Sequence, residues 1–140
     1  MQRLYQDRDF SVNDVVGCRL LRLCAAYDAD TSDDRPIVFY ARFGGQSVWH
    51  KFFLDLGVAF WDMVDSCDIE EEFNDEAYRI SDCLDCSTQY TVQDAFAFVP
   101  PNETCAQIRL LVSPRTEIHI KCVHEDENHY MAFSVRQNSR

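Results

Sequence analysis

Residues 47–76 read SVWHKFFLDLGVAFWDMVDSCDIEEEFNDE, and the alternation in the first half of that stretch decides the fold. Its even positions are Val48, His50, Phe52, Leu54, Leu56, Val58 and Phe60, all apolar except His50; the odd positions Trp49, Lys51, Phe53, Asp55, Gly57, Ala59 and Trp61 are mixed. Side chains alternate across a strand, so a period of two predicts one buried face and one half-wetted face. An apolar run over 52–64 also permits a helix, but the aromatic and β-branched content favours strand. Gly57 interrupts the run and predicts a turn or bulge, hence two strands.

The second half is acidic. Between Asp62 and Asp85 stand ten carboxylates: Asp62, Asp65, Asp68, Glu70, Glu71, Glu72, Asp75, Glu76, Asp82 and Asp85. Against the one basic residue there, Arg79, they leave −9 of the chain's formal net charge of −11. Like charges at this density stay solvated, as a loop or a short helix. They also form a docking surface for a basic partner, with Trp49 and Trp61 as candidate aromatic anchors beside them.

Outward from this stretch the strand pattern continues. Ile37, Phe39, Ala41 and Phe43 share one face of a strand over 36–43, and Gly44-Gly45-Gln46-Ser47 signals a hairpin into the strand starting at Val48. Residues 15–27, VVGCRLLRLCAAY, predict a long strand, with a helix over 20–27 as the alternative, and residues 28–35, DADTSDDR, a loop. A short strand is expected over 77–82. Thr91-Val92-Gln93-Asp94 has the form of a capping box and predicts one helical turn, with a strand over 95–99 as the competing reading. The last third reads as a meander of strands over 105–112, 116–124 and 130–136, turning at Ser113-Pro114-Arg115 and at Glu125-Asp126-Glu127-Asn128. Residues 1–13 read as an irregular entry or a short helix, and the residues after Arg136 as a disordered tail. No strand–helix alternation supports a parallel sheet. The expectation is one acidic domain over 1–140 of the α+β class, mostly antiparallel β: a curved sheet or sandwich of seven to eight strands with one or two short helices.

A chain of 140 residues buries a core without staples. Twenty-four acidic against 13 basic residues argue against nucleic acid as a direct partner, and against an anionic membrane surface. The opening MQRLYQDRDFSVNDVVG has no apolar core of signal-peptide length, and no stretch is long enough to span a bilayer, so the expected location is the cytoplasm. Seven scattered cysteines fit reduced thiols there.

Chemical candidates are few. Cys83-Leu84-Asp85-Cys86 has zinc-like spacing, and Cys122 with His124 would complete four ligands, but no second Cys-x-x-Cys exists. As a redox motif it lacks positive charge, and Asp82 and Asp85 oppose thiolate formation. His119, His124 and His129 recur every five residues, a spacing that alternates faces and forms no obvious ligand cluster. His50 reads as a hydrogen-bonded core histidine and as the best general base if the chain is an enzyme. Asp55 reads as a turn carboxylate beside Gly57, with a contact or catalytic acid at the strand end as the alternative. There is no P-loop, nucleophile elbow, dinucleotide fingerprint or His-Glu-x-x-His, so no catalytic residue, metal or cofactor is expected.

A small acidic strand-rich domain carrying Phe52-Phe53-Leu54-Asp55-x-Gly57-x-x-Phe60-Trp61 followed by carboxylates resembles the bacterial immunity proteins of contact-dependent and type VI secretion toxin systems. The shared stretch covers about a fifth of the chain, and the cysteine content departs from the pattern. The resemblance implies a stoichiometric inhibitor of a cognate toxin, often a basic nuclease. Contacts are expected from Asp62, Asp65, Asp68, Glu70, Glu71, Glu72, Asp75 and Glu76, with Trp49 and Trp61. The rival readings are an adaptor or structural subunit of a larger assembly, and a small enzyme or ligand-binding β domain.

Overall fold

The computed structural model describes residues 2–30, 35–125 and 128–137. Its elements in chain order are β1 (Gln2–Asp7), β2 (Phe10–Ser11), a 3-10 turn (Asn13–Val15), β3 (Arg19–Asp28), β4 (Val38–Phe43), β5 (Trp49–Asp55), β6 (Val58–Val64), α1 (Ser66–Phe73), β7 (Tyr78–Asp82), β8 (Tyr90–Phe98), β9 (Gln107–Ser113), β10 (Thr116–Glu125) and β11 (Asn128–Gln137). Every pairing is antiparallel, and the strands form one open sheet in the order β1-β6-β5-β4-β3-β8-β9-β10-β11, with β2 added to β8 and β7 to β3. Among the described residues no helix is long and apolar enough to cross a membrane.

The run around Gly57 becomes two strands, as its interruption predicts. Leu56 and Gly57 both have positive φ, 53° and 80°, and Asp55 pairs with Val58 across them. Two left-handed residues in a two-residue loop match the twist of the flanking strands. The turn also shifts the phase of burial. His50, Phe52 and Leu54 point into the core, and after the turn Ala59 and Trp61 do so, while Leu56 stands 92% exposed at the tip. The predicted hairpin between β4 and β5 is present, with Phe39 opposite Phe52 and Ala41 opposite His50.

The main core fills the concave side of the sheet. Inward residues of β3 to β6 meet those of β8 to β11: Phe52 stacks on Trp61 at 4.2 Å, and Phe133 of β11 sits edge-on to Phe39 of β4. The Leu54 N–H reaches Met131 Sδ at 3.2 Å, so the far end of the sheet curls back over β4 and β5. A smaller apolar cluster lies on the convex side, where Cys24, Ala26, Val38, Tyr40, Trp49 and Val64 are covered by Ile69 and Phe73 of α1.

Four expectations are corrected. Among the described residues the sheet has eleven strands, not seven to eight. Residues 2–13 are not α-helical and are mostly extended: β1 is an edge strand laddered to β6 through its backbone, so its polar side chains leave no apolar period to read. Residues 91–94 form no helical turn but the first part of β8, where a register shift between Val92 and Asp94 moves the buried set from Tyr90 and Val92 to Ala95 and Ala97. Such a bulge breaks the period of two and imitates a turn in sequence. Ile37 precedes β4 and is exposed, although it continues that strand's apolar alternation. The meander of β9, β10 and β11 stands as read, with Glu125 opposite Asn128; residues 126–127 of that turn, 31–34 of the acidic loop and the last residues of the tail lie outside the described residues.

Candidate functional site

The acidic block folds into α1 and the loop after it. Ile69 and Phe73, four apart, share one helix face and pack on the sheet: Phe73 lies edge-on to Tyr40 at 5.1 Å and to Trp49 at 5.3 Å. Eight residues are too few for a helix to persist alone, so this packing holds it. Asp68 in the first turn complements the helix dipole, whereas the last turn carries no basic residue to offset Glu70, Glu71 and Glu72.

Glu72 ties the helix to the sheet. Its Oε1 accepts from the Tyr40 hydroxyl at 2.9 Å and from Lys51 Nζ at 2.5 Å. Burial, then the Glu72 charge, push the Tyr40 hydroxyl pKa up, so it stays a donor. Asp65, Glu70, Glu71, Asp75 and Glu76 are exposed and Asp68 is half-buried, so the solvent side of α1 and the loop after it is acidic. Three of the expected contacts are not on it. Trp61 is fully buried, Asp62 is 2% exposed beside Lys51 in the β5–β6 register, and Trp49 is 9% exposed under Phe73 and the Arg22 guanidinium. The sequence shows aromatics next to carboxylates; it does not show that the acidic segment returns as a helix over one tryptophan.

Beside α1, the convex face forms a groove of about 420 Å³ lined by Tyr40, Lys51, Phe53, Asp55, Glu72, Asp75 and Tyr78 among others. Asp55 rims it from the end of β5, next to the two-residue turn.

His50 lies inside the core. Its Nδ1 accepts the Trp61 indole N–H at 2.8 Å and its Nε2–H donates to Gln46 Oε1 at 2.6 Å, while the Gln46 amide donates to the Asp14 carbonyl. Burial lowers the His50 pKa to about 4, opposed in part by Asp14. A fully buried imidazole with both nitrogens bonded is a structural group, not a base aimed at a substrate.

The cysteines divide between separate places. Cys83 and Cys86 lie in the loop after β7 near Arg22 and Asp82; burial, reinforced by Cys24 and Asp82, pushes the Cys83 thiol up to about 12. Cys122 and His124 instead line a second groove of about 680 Å³ with Cys105, so the four suggested zinc ligands do not converge. Among the described residues no group of three or more His, Cys, Asp or Glu is arranged to hold a metal ion. In this second groove Cys105 Sγ lies 3.5 Å from His124 Nε2, and His124 Nδ1 bonds His129 Nδ1. The register of β10 and β11 places His124 directly opposite His129, a pairing the spacing of five conceals until the turn at Glu125–Asn128 is counted. Cys105 comes from the loop before β9, and nothing in the sequence links it to them.

No protein-family model matches the chain, and neither a curated protein nor a solved structure matches it at significance.

Proposed function

We propose that this chain is a cytoplasmic, non-catalytic binding protein that neutralises a basic toxin domain by stoichiometric docking, in the manner of an immunity protein. The carrying observation is the set of exposed carboxylates on and around α1, with Glu70 and Glu71 on the helix, Asp65 just before it and Asp75 and Glu76 in the loop after it; the helix is clamped to the sheet by Ile69, Phe73 and Glu72. A fixed acidic surface accelerates encounter with a basic partner and loses that advantage as salt rises. The test is capture from lysate of the source organism at low and high salt. One basic protein retained in equal amount, and released by salt, is expected. The triple reversal Glu70→Lys, Glu71→Lys, Glu76→Lys should weaken that capture about tenfold or more while far-ultraviolet circular dichroism stays unchanged. Unchanged affinity at low salt would refute the docking surface.

The Cys105–His124–His129 arrangement favours a second reading, a small enzyme or ligand-binding β domain. A thiol within reach of an imidazole, with that imidazole oriented by a third group, is the geometry of an activated nucleophile. His124 then accepts the thiol proton at Nε2 and donates its Nδ1–H to His129. Alkylation followed by peptide mass spectrometry checks it. The His124→Gln change should slow modification of Cys105 about tenfold and leave exposed Cys67 unaffected. Equal rates at Cys105 in both proteins would remove this reading.

A further inference from the structure

We propose that the groove beside α1 receives one cationic side chain, an arginine or lysine, from the partner protein. The inference rests on the docking reading above and gives that surface its anchor point.

Three aromatic rings, Tyr40, Phe53 and Tyr78, line the groove together with the carboxylates of Asp55, Glu72 and Asp75. Lys51 is the one basic residue on its lining, so the lining carries three negative charges against one positive. Tyr78 is 43% exposed, and its ring is open to an incoming group. A lining that combines aromatic rings with carboxylates matches a side chain that has a methylene stem and a charged head. An apolar occupant would strip water from the carboxylates without replacing its bonds, and an anion would be repelled.

The groove already holds one such cation. Lys51 Nζ lies 5.8 Å from the centroid of the Tyr40 ring and 2.5 Å from Glu72 Oε1, between an aromatic face and a carboxylate. Cation–aromatic contacts recur elsewhere in the fold, with Arg22 over Phe73 at 5.5 Å and Arg79 over Tyr27 at 4.8 Å. Tyr40 and Lys51 both bond Oε1 of Glu72 and thereby fix the carboxylate plane. The proposal assigns its other oxygen, Oε2, to the incoming head group, with Asp55 or Asp75 as the second acceptor and Tyr78 and Phe53 flanking the stem.

The test titrates the intact chain with N-acetyl-arginine amide and, separately, with the isosteric neutral citrulline amide, reading side-chain and backbone NMR shifts at physiological salt. Saturable shifts at Tyr40, Phe53 and Tyr78 are expected, with citrulline binding about tenfold more weakly or worse. Asp75→Asn keeps the acceptor that caps the Ala77 N–H at 3.0 Å, so it removes charge without removing the turn, and it should weaken arginine binding severalfold. Tyr78→Ala should do the same through the lost ring. Non-saturating shifts spread over the acidic surface, or an equal response to citrulline, would overturn the proposal. Saturable arginine binding with no basic protein captured would keep the groove and remove the docking reading. A captured basic protein with no saturable arginine binding would remove the groove and keep the docking surface.

Discussion

Replacing Trp61 by alanine is expected to destabilise the fold by about 3–5 kcal/mol, the range for emptying a fully buried large aromatic site. Trp61 has no exposed surface, stacks on Phe52 at 4.2 Å with planes 10° apart, and pairs across β5 and β6 with Phe52. Its neighbours are backbone-laddered strands, which cannot collapse into the void without giving up register, so little of the cavity term is recovered. A domain of this size has about 5–15 kcal/mol in total, so the variant should unfold at much lower urea. Trp61→Phe separates the two contributions. It keeps most of the stack but leaves His50 Nδ1, which accepts the indole N–H at 2.8 Å, as a buried acceptor with no donor, at about 1–3 kcal/mol. Urea unfolding followed by circular dichroism measures both. Equal losses for the alanine and phenylalanine variants would mean that the hydrogen bond, not the ring, holds this part of the core.

The strands that carry an uninterrupted period of two are legible in sequence. Phe39, Ala41 and Phe43 in β4, His50, Phe52 and Leu54 in β5, and Ile118 and Ile120 in β10 alternate because one face of the sheet is buried and the other is not. What escapes sequence reading is pairing that needs no apolar period. β1 is held by its backbone ladder to β6, and β2 contributes two residues. β3 divides its second edge between β8, opposite Arg19 and Leu20, and β7, opposite residues 24–28. β1 and β2 add to the strand number without leaving an alternation to count, and the division of the β3 edge leaves no sign in sequence.

The candidate site is legible in charge and opaque in geometry. Charge density is a one-dimensional property, so an acidic segment from Asp62 to Glu76 could be read directly, although Asp62 is buried. Exposure is not. Trp49 and Trp61 sit one strand apart, and their burial depends on opposite faces of the sheet: Trp61 points into the concave core, and Trp49 points outward beneath α1. Likewise Phe53 and Tyr78 meet in one groove only because β7 pairs with the far half of β3 and brings the end of the acidic loop back to β5. Contacts between segments far apart in sequence carry no local signal, and both grooves are built from such contacts.

Stability is expected to fall as the pH drops from 6.5 towards 4, and His50 is the reason. In the unfolded chain its imidazole titrates at the ordinary value of 6.5; in the folded chain burial lowers this to about 4. Between those values the unfolded state binds a proton that the folded state does not, so stability rises with pH in this window and is lost as the pH falls through it. Each pH unit is worth about 1.4 kcal/mol, and the whole interval about 3 kcal/mol. Above 6.5 the group is neutral in both states and contributes no slope. The cause is visible in the bonding: an imidazolium would put a second proton on Nδ1, facing the Trp61 N–H that now donates to it, on a ring with no solvent-exposed surface. His119, whose pKa burial also lowers, adds a slope of the same sign. A His50→Gln variant separates the two, because it keeps His119 and every carboxylate while removing this one titration. Urea unfolding of both proteins at about pH 7.5 and about pH 4.5 should show the wild type losing about 2–3 kcal/mol more than the variant across that interval. Parallel losses would mean that His50 takes up its proton without cost, and therefore that Nδ1 is not committed to Trp61. The same bond then governs both large effects, the cavity at Trp61 and the acid sensitivity at His50, and so the two variants should be non-additive when combined.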